Sequence, residues 1–195
     1  MSEIATDCPF CRIGAHGAPS PPSSARARSI NPSADSLLSK PDLTSPPTFL
    51  VLSTDLCLAF LDIMPLSPGH LLVTTRRHRS MISDVTEDES RELGFWLPVL
   101  SRVVAAVTET DAWNIVQNNG AAAAQVVPHI HFHIIPRPAL TPELRNRSFT
   151  MFGRGQRTDL DDAEAVVIAQ KLRLELAAEL ERVRVIRDQE AKGKL

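Results

Sequence analysis

Between Pro128 and Ile135 the chain reads P-H-I-H-F-H-I-I. His129, His131 and His133 stand at alternate positions, with Ile130, Phe132 and Ile134 between or after them. An extended strand sends successive side chains to opposite faces. The alternation therefore predicts a strand over 127–135, with three imidazoles on one face and three large apolar groups on the other. Neighbouring imidazoles would then stand about 7 Å apart at Cα. Such a strand needs a sheet around it and a cover over its apolar face.

The remaining elements follow from local signals. The runs "TFLVLS" and "CLAFLDI" flank Ser53-Thr54-Asp55 and read as a hairpin. "SPG" at 67–69 is a turn, and "HLLVTT" from His70 is a third strand. Thr86 and Glu89 form a capping-box pattern. Leu93, Trp96, Leu97, Leu100, Val103, Val104 and Val107 then recur at helical spacing, with Pro98 predicting a kink or break. "AWNIVQN" and "VPHIHFHII" are two more strands, joined by "NNGAAAAQ". Asp159, Asp161 and Asp162 favour a helix N-terminus. The stripe Ala165, Ala169, Leu172, Leu176, Leu180, Val183 predicts one long helix, packed on the domain or on another chain.

The expected organisation is an N-terminal segment (1–14), a Pro/Ser-rich insertion (15–47), a core (48–140), a loop (141–158) and a C-terminal helix (159–190). The insertion has too few apolar residues to offset its chain entropy and is expected to be disordered. The fold class is α+β: an antiparallel sheet of about five strands, a helix between strands and a long C-terminal helix.

Net charge is -2, which argues against general nucleic-acid binding. The run "RRHR" at 76–79 reads as a solvated basic face. No apolar stretch approaches a membrane span, and the N-terminus lacks the order of a signal peptide. With 3 cysteines, a disulfide framework is not expected. A reducing compartment follows, cytosol or nucleus. Cys8 and Cys11 have the spacing of zinc ligands, although a lone C-x-x-C also fits a redox pair. Cys57, in an apolar strand, reads as a buried thiol.

Two chemistries suit the histidine face. Same-face imidazoles can hold zinc or copper. Alternatively a neutral imidazole can attack phosphorus while a protonated neighbour serves the leaving group. The small-residue loop ending in Gln125 favours the second, because it lets backbone N–H groups approach an anion.

Gln125-x-x-x-His129-x-His131-x-His133 followed by "IIPR" resembles the signature of the histidine triad (HIT) family. "LAFLDI" (58–63), "GHLLVTTRRH" (69–78) and "CPFC" (8–11) resemble further blocks of that family, in its zinc-bearing, Hint-like branch. The resemblance implies a HIT-like fold and a homodimer acting on a purine nucleotide or nucleoside phosphoramidate. It implies that His131 attacks the α-phosphorus to give a nucleotidyl-histidine. His133 would contact the phosphate and assist the leaving group, with Gln125 and Asn118 positioning the phosphate. Ala124, in the same loop, would contact substrate. Asp62 would bind ribose hydroxyls, Ile63 would line the base pocket and His70 would help orient the triad. Cys8, Cys11, His78 and His129 would hold a structural Zn2+.

Three departures stand out. Val126 replaces a usual hydroxyl, Pro128 removes a backbone donor, and Ala123-Ala124 leaves the loop less free than glycine would to adopt positive φ. Asn118 favours a Hint-type phosphoramidase over a Fhit-type dinucleoside polyphosphate hydrolase. A non-catalytic nucleotide-binding adaptor, and a zinc hydrolase ligated by all three triad histidines, remain as alternatives.

Overall fold

The computed structural model describes residues 7–16, 46–137 and 159–193. Most of the 15–47 insertion and the whole 141–158 loop lie outside the described residues.

Five antiparallel strands are β1 (Leu50–Ser53), β2 (Cys57–Leu61), β3 (Leu71–Thr75), β4 (Ala112–Gln117) and β5 (His131–Arg137). Their order in the sheet is β1-β2-β3-β5-β4. The first hairpin closes on Thr54, whose hydroxyl accepts the Cys57 N–H at 2.9 Å. Before β3, Gly69 adopts φ +81, and an added Cβ there would stand 2.6 Å from a Thr108 methyl. Glycine is needed at that turn for both reasons, and the turn delivers His70 to the start of β3.

Helix α2 (Glu87–Thr108) starts with the expected capping box. It runs through Pro98 without a break. Pro98 and Gly94, whose carbonyl loses its donor, are both exposed, so solvent faces the interrupted ladder. Helix α3 (Asp162–Lys192) is capped by Asp161, which accepts the Glu164 N–H at 2.9 Å. Its stripe packs on α2 and β1. Ala165, Ala169, Leu172 and Leu176 are buried, and the buried Arg173 guanidinium donates to the Leu50 carbonyl at 2.9 Å. Leu180 and Val183 pack only partly, so the stripe holds firmly over its first four turns.

The two faces of the sheet are covered differently. Val51, Cys57, Ala59, Leu61, Leu71, Val73 and Ile134 meet α2 and α3. Leu50, Leu58, Phe60 and Leu72 meet α1 (Pro9–His16), a short helix not anticipated from the sequence. Pro9 at its first position is suited to a helix start. Both faces being buried explains why β1 to β3 read as continuous apolar runs.

The basic run is not a solvated face. Only Arg77 is exposed. Arg76 donates to Thr54 O at 2.7 Å, to Ser53 Oγ at 2.6 Å and to Gly14 O at 2.5 Å, bolting α1 to the hairpin. Arg79 pairs with buried Glu89 at 2.9 Å. No helix among the described residues is long and apolar enough to cross a membrane.

Candidate functional site: two histidine clusters on one strand entrance

Strand β5 begins at His131, four residues later than expected. The cause is Pro128. The His129 N–H donates to Val127 O at 2.8 Å, closing a three-residue turn centred on the proline. Proline's fixed φ suits that turn. His129 therefore sits just outside the strand, while His131 and His133 pair with Thr74 and Leu72 and share the α1 face.

His129 is fully buried. Its Nε2–H donates to Thr75 O at 2.9 Å, which leaves the Nδ1 lone pair facing Cys8 Sγ at 3.3 Å and Cys11 Sγ at 3.6 Å. His78 Nδ1 lies 3.4 Å from Cys11 Sγ. The ligand atoms of Cys8, Cys11, His78 and His129 all lie within 4.8 Å of one another. A tetrahedral zinc with ordinary Zn–S and Zn–N bonds sets its ligands roughly 3.5 Å apart, so this quartet fits that ion. A carbonyl fixing the far nitrogen of a ligating histidine is the usual supporting contact. Burial drives the His129 pKa down to about 4, keeping the ring neutral as a ligand must be.

His131 is held differently. Its Nδ1 lies 2.7 Å from the His129 carbonyl. A carbonyl only accepts, so Nδ1 carries the proton and Nε2 presents a lone pair. Burial lowers its pKa, partly opposed by that hydrogen bond and by Asp62. Phe10 of α1 packs edge-on at 5.3 Å and also touches Phe60, so the helix that carries the cysteines walls the His131 ring. Neither phenylalanine was singled out in the sequence; Phe10 lying inside the C-x-x-C was the available signal.

His133 belongs to a third arrangement. Its Nδ1 is 3.0 Å from His70 Nε2. The Leu66 N–H donates to His70 Nδ1 at 3.1 Å, so the His70 proton is on Nε2 and points to His133. His133 then carries its own proton on Nε2, as a donor. Asp62 Oδ2 lies 3.5 Å from His70 Nδ1 and 3.9 Å from His133 Nδ1, while Oδ1 accepts the Met64 N–H at 2.9 Å. Asp62 and His70 are buried and Ile63 is exposed. The three triad histidines thus meet three different sets of partners, and among the described residues no group placed to hold one ion contains more than one of them.

The loop before the triad forms a single turn of 3-10 helix, Ala121–Ala123. Gly120 has φ +84 and Ala124 φ +63. Ala124 therefore takes the left-handed conformation that its side chain resists, at a cost of about 1 kcal/mol. Both ends of the Gln125 amide are engaged: Oε1 accepts the Gly120 N–H at 2.6 Å and Nε2 donates to Ser80 O at 2.7 Å. Gln125 braces the loop in this way. Asn119, not anticipated, adds a second brace by accepting the Ile82 N–H at 2.9 Å. Asn118 is half-buried beside it, and Val126 is 90% exposed.

A HIT domain model matches residues 44–140. An uncharacterised HIT-like protein of Methanocaldococcus jannaschii is 36% identical over 118 residues, covering 60% of this chain and 85% of that one. The chain belongs to the histidine triad family. The adenosine 5'-monophosphoramidase of Schizosaccharomyces pombe is 39% identical over 92 residues, covering 47% of this chain and 66% of that protein. The chain spans 46 to 66% of the length of such curated HIT relatives. The crystal structure of a zinc-bound histidine triad family protein from Mycobacterium smegmatis superposes with TM-score 0.56 at 26% identity, covering 70% of this chain and 88% of that one. Helix α3 lies outside the residues that the domain model matches.

Proposed function

We propose that this chain is a nucleotide hydrolase or transferase that works through a nucleotidyl-histidine, with purine nucleoside phosphoramidates as substrates. The observation that carries the reading is the 2.7 Å contact from His131 Nδ1 to the His129 carbonyl. It leaves a neutral ring whose Nε2 lone pair can attack phosphorus.

In this reading Nε2 of His131 bonds to the α-phosphorus as the P–N bond to the leaving amine breaks. The leaving amine takes up a proton from solvent on the His133 side of the site, and the His133 Nε2–H donates a hydrogen bond to the phosphate and keeps its own proton. The Ala121 and Ala122 amides receive the phosphate charge, those of Gly120, Ala123, Ala124 and Gln125 being bonded within the loop. Water then attacks phosphorus and gives up a proton to solvent, balancing the one taken by the amine; the P–Nε2 bond breaks and the nucleoside monophosphate leaves with His131 restored to its Nδ1–H form. Asp62 holds the ribose hydroxyls and Ile63 lines the base. Support comes from the family membership and from the phosphoramidase relative.

Cys8, Cys11, His78 and His129 hold a zinc ion in this reading. Zinc adds folding free energy by tying α1 to the entrance of β5. A homodimer is included, supported by the outer strand β4, which leaves Trp113 and Ile115 exposed.

The test is to quench the chain during turnover of adenosine 5'-phosphoramidate and map adducts by peptide mass spectrometry. Adenylylation of His131, absent in His131→Ala, is expected. Steady turnover with no adduct on the His131 peptide sinks the covalent route.

A further inference from the structure

The loop that follows β2 carries Asp62, and its far side is poorly packed. Ile63 is 65% and Met64 41% exposed. A cavity of about 270 Å³ lies against them, lined also by Pro47, Phe49, Asp159, Leu160 and Asp162. Across it runs a backbone hydrogen bond, from the Leu160 N–H to the Ile63 carbonyl at 3.0 Å. Leu160 immediately precedes the Asp161 cap of α3. The helix behind it is immobilised by Leu172, Leu176 and the Arg173 contact to Leu50 O. The loop's own bonds, from Met64 N–H to Asp62 Oδ1 and from Leu66 N–H to His70 Nδ1, fix its internal shape. The Asp62 N–H ties the start of the loop to the His70 carbonyl at 3.0 Å, and the Leu160 amide ties the next residue, Ile63, to the entry of α3.

We propose that the entry of α3 is part of the nucleotide-binding apparatus. The Leu160 amide, held by the docked helix, fixes the Ile63 carbonyl and thereby the Asp62 carboxylate that receives ribose hydroxyls. Leu160 is a positioning residue and touches no substrate. An element outside the matched family domain thus tunes affinity for the sugar. The inference rests on the nucleotide reading of Asp62 given above.

Adenosine 5'-monophosphate and its 2',3'-dideoxy analogue serve as probes, titrated calorimetrically into the full chain. The wild-type chain binds the ribonucleotide more tightly. Leu160→Pro removes the N–H and weakens ribonucleotide binding by about three- to tenfold, the worth of one hydrogen bond, while leaving the dideoxy analogue nearly unchanged. Leu160→Ala keeps the N–H and keeps the preference. A merely structural role would weaken both ligands alike. By reciprocity, saturating ribonucleotide must also slow amide exchange at Leu160 in the wild-type chain. That second readout decides the matter if Leu160→Pro does not fold. An unchanged preference in folded Leu160→Pro, or Leu160 exchange indifferent to ligand, overturns the inference. A wild-type chain with no preference for the ribonucleotide overturns the nucleotide reading itself, and this inference with it.

Discussion

His129 is wholly buried with its Nδ1 against two thiols, whereas His131, two residues along, has its Nδ1 against a carbonyl and no hydrogen-bond partner for Nε2 among the described residues. One residue type therefore presents opposite nitrogens at neighbouring positions. The Thr75 carbonyl decides the tautomer of His129, and the His129 carbonyl decides that of His131. Backbone acceptors, rather than the imidazoles, set which nitrogen each ring presents, and in the proposed function those nitrogens serve as a metal ligand and a nucleophile. His129 joins the two sites, offering its ring to one and its carbonyl to the other, and Phe10, between the two cysteines, packs against both rings.

The widest separation between the clusters should appear in turnover. His131→Ala is expected to lower phosphoramidate hydrolysis by about 10³-fold or more, with metal content and melting temperature nearly unchanged. A comparable loss of bound metal in that variant would merge the two sites.

Acid should act on the quartet of Cys8, Cys11, His78 and His129. In chelator-treated protein the folded-state pKa of His129 is about 4, below the ordinary 6.5, because burial opposes the charged ring. The unfolded chain binds more protons between those values. Stability is then fully present above pH 6.5 and is lost as pH falls toward 4, by about 3 kcal/mol. Urea titrations across that window check it, and His129→Ala should flatten the slope.

Cys11→Ser should abolish zinc binding and lower the melting temperature by roughly 5 °C, with turnover reduced less than tenfold. Metal analysis, thermal melts and initial rates together test whether the quartet supports rather than performs the chemistry. The smallest effect is expected at the loop. Ala124→Gly relieves a left-handed alanine and raises stability by about 0.5 kcal/mol, net of glycine's larger chain entropy. Urea midpoints measure it; a destabilised variant would mean that the alanine methyl makes contacts that outweigh the strain.

Much of this arrangement was legible in the sequence, because period-two and period-3.6 patterns report which face an element buries. The hairpin, the Thr86–Glu89 box and the α3 stripe all depend on local spacing. What stayed hidden depends on contacts between distant segments. Arg76 looks like surface charge until Gly14, Thr54 and Ser53 converge on it. Pro98 predicts a break because sequence alone does not reveal that its missing hydrogen bond faces solvent. Val127 and Pro128 fit the strand pattern, yet the proline closes a turn that swings His129 toward the cysteines. Helix α1 is too short for periodicity to show. In the site, the residue types and spacings marked the histidines and the Cys pair, whereas the protonated nitrogen on each ring follows only from the acceptor it meets.

The most direct measurement is a nitrogen-15 NMR tautomer assignment of the ring nitrogens at neutral pH. His131 should carry its proton on Nδ1, with an unprotonated Nε2, and His129 on Nε2, with its Nδ1 left to metal. A His131 ring protonated on Nε2 at rest would contradict the nucleophile assignment, since no lone pair would then be available to reach phosphorus.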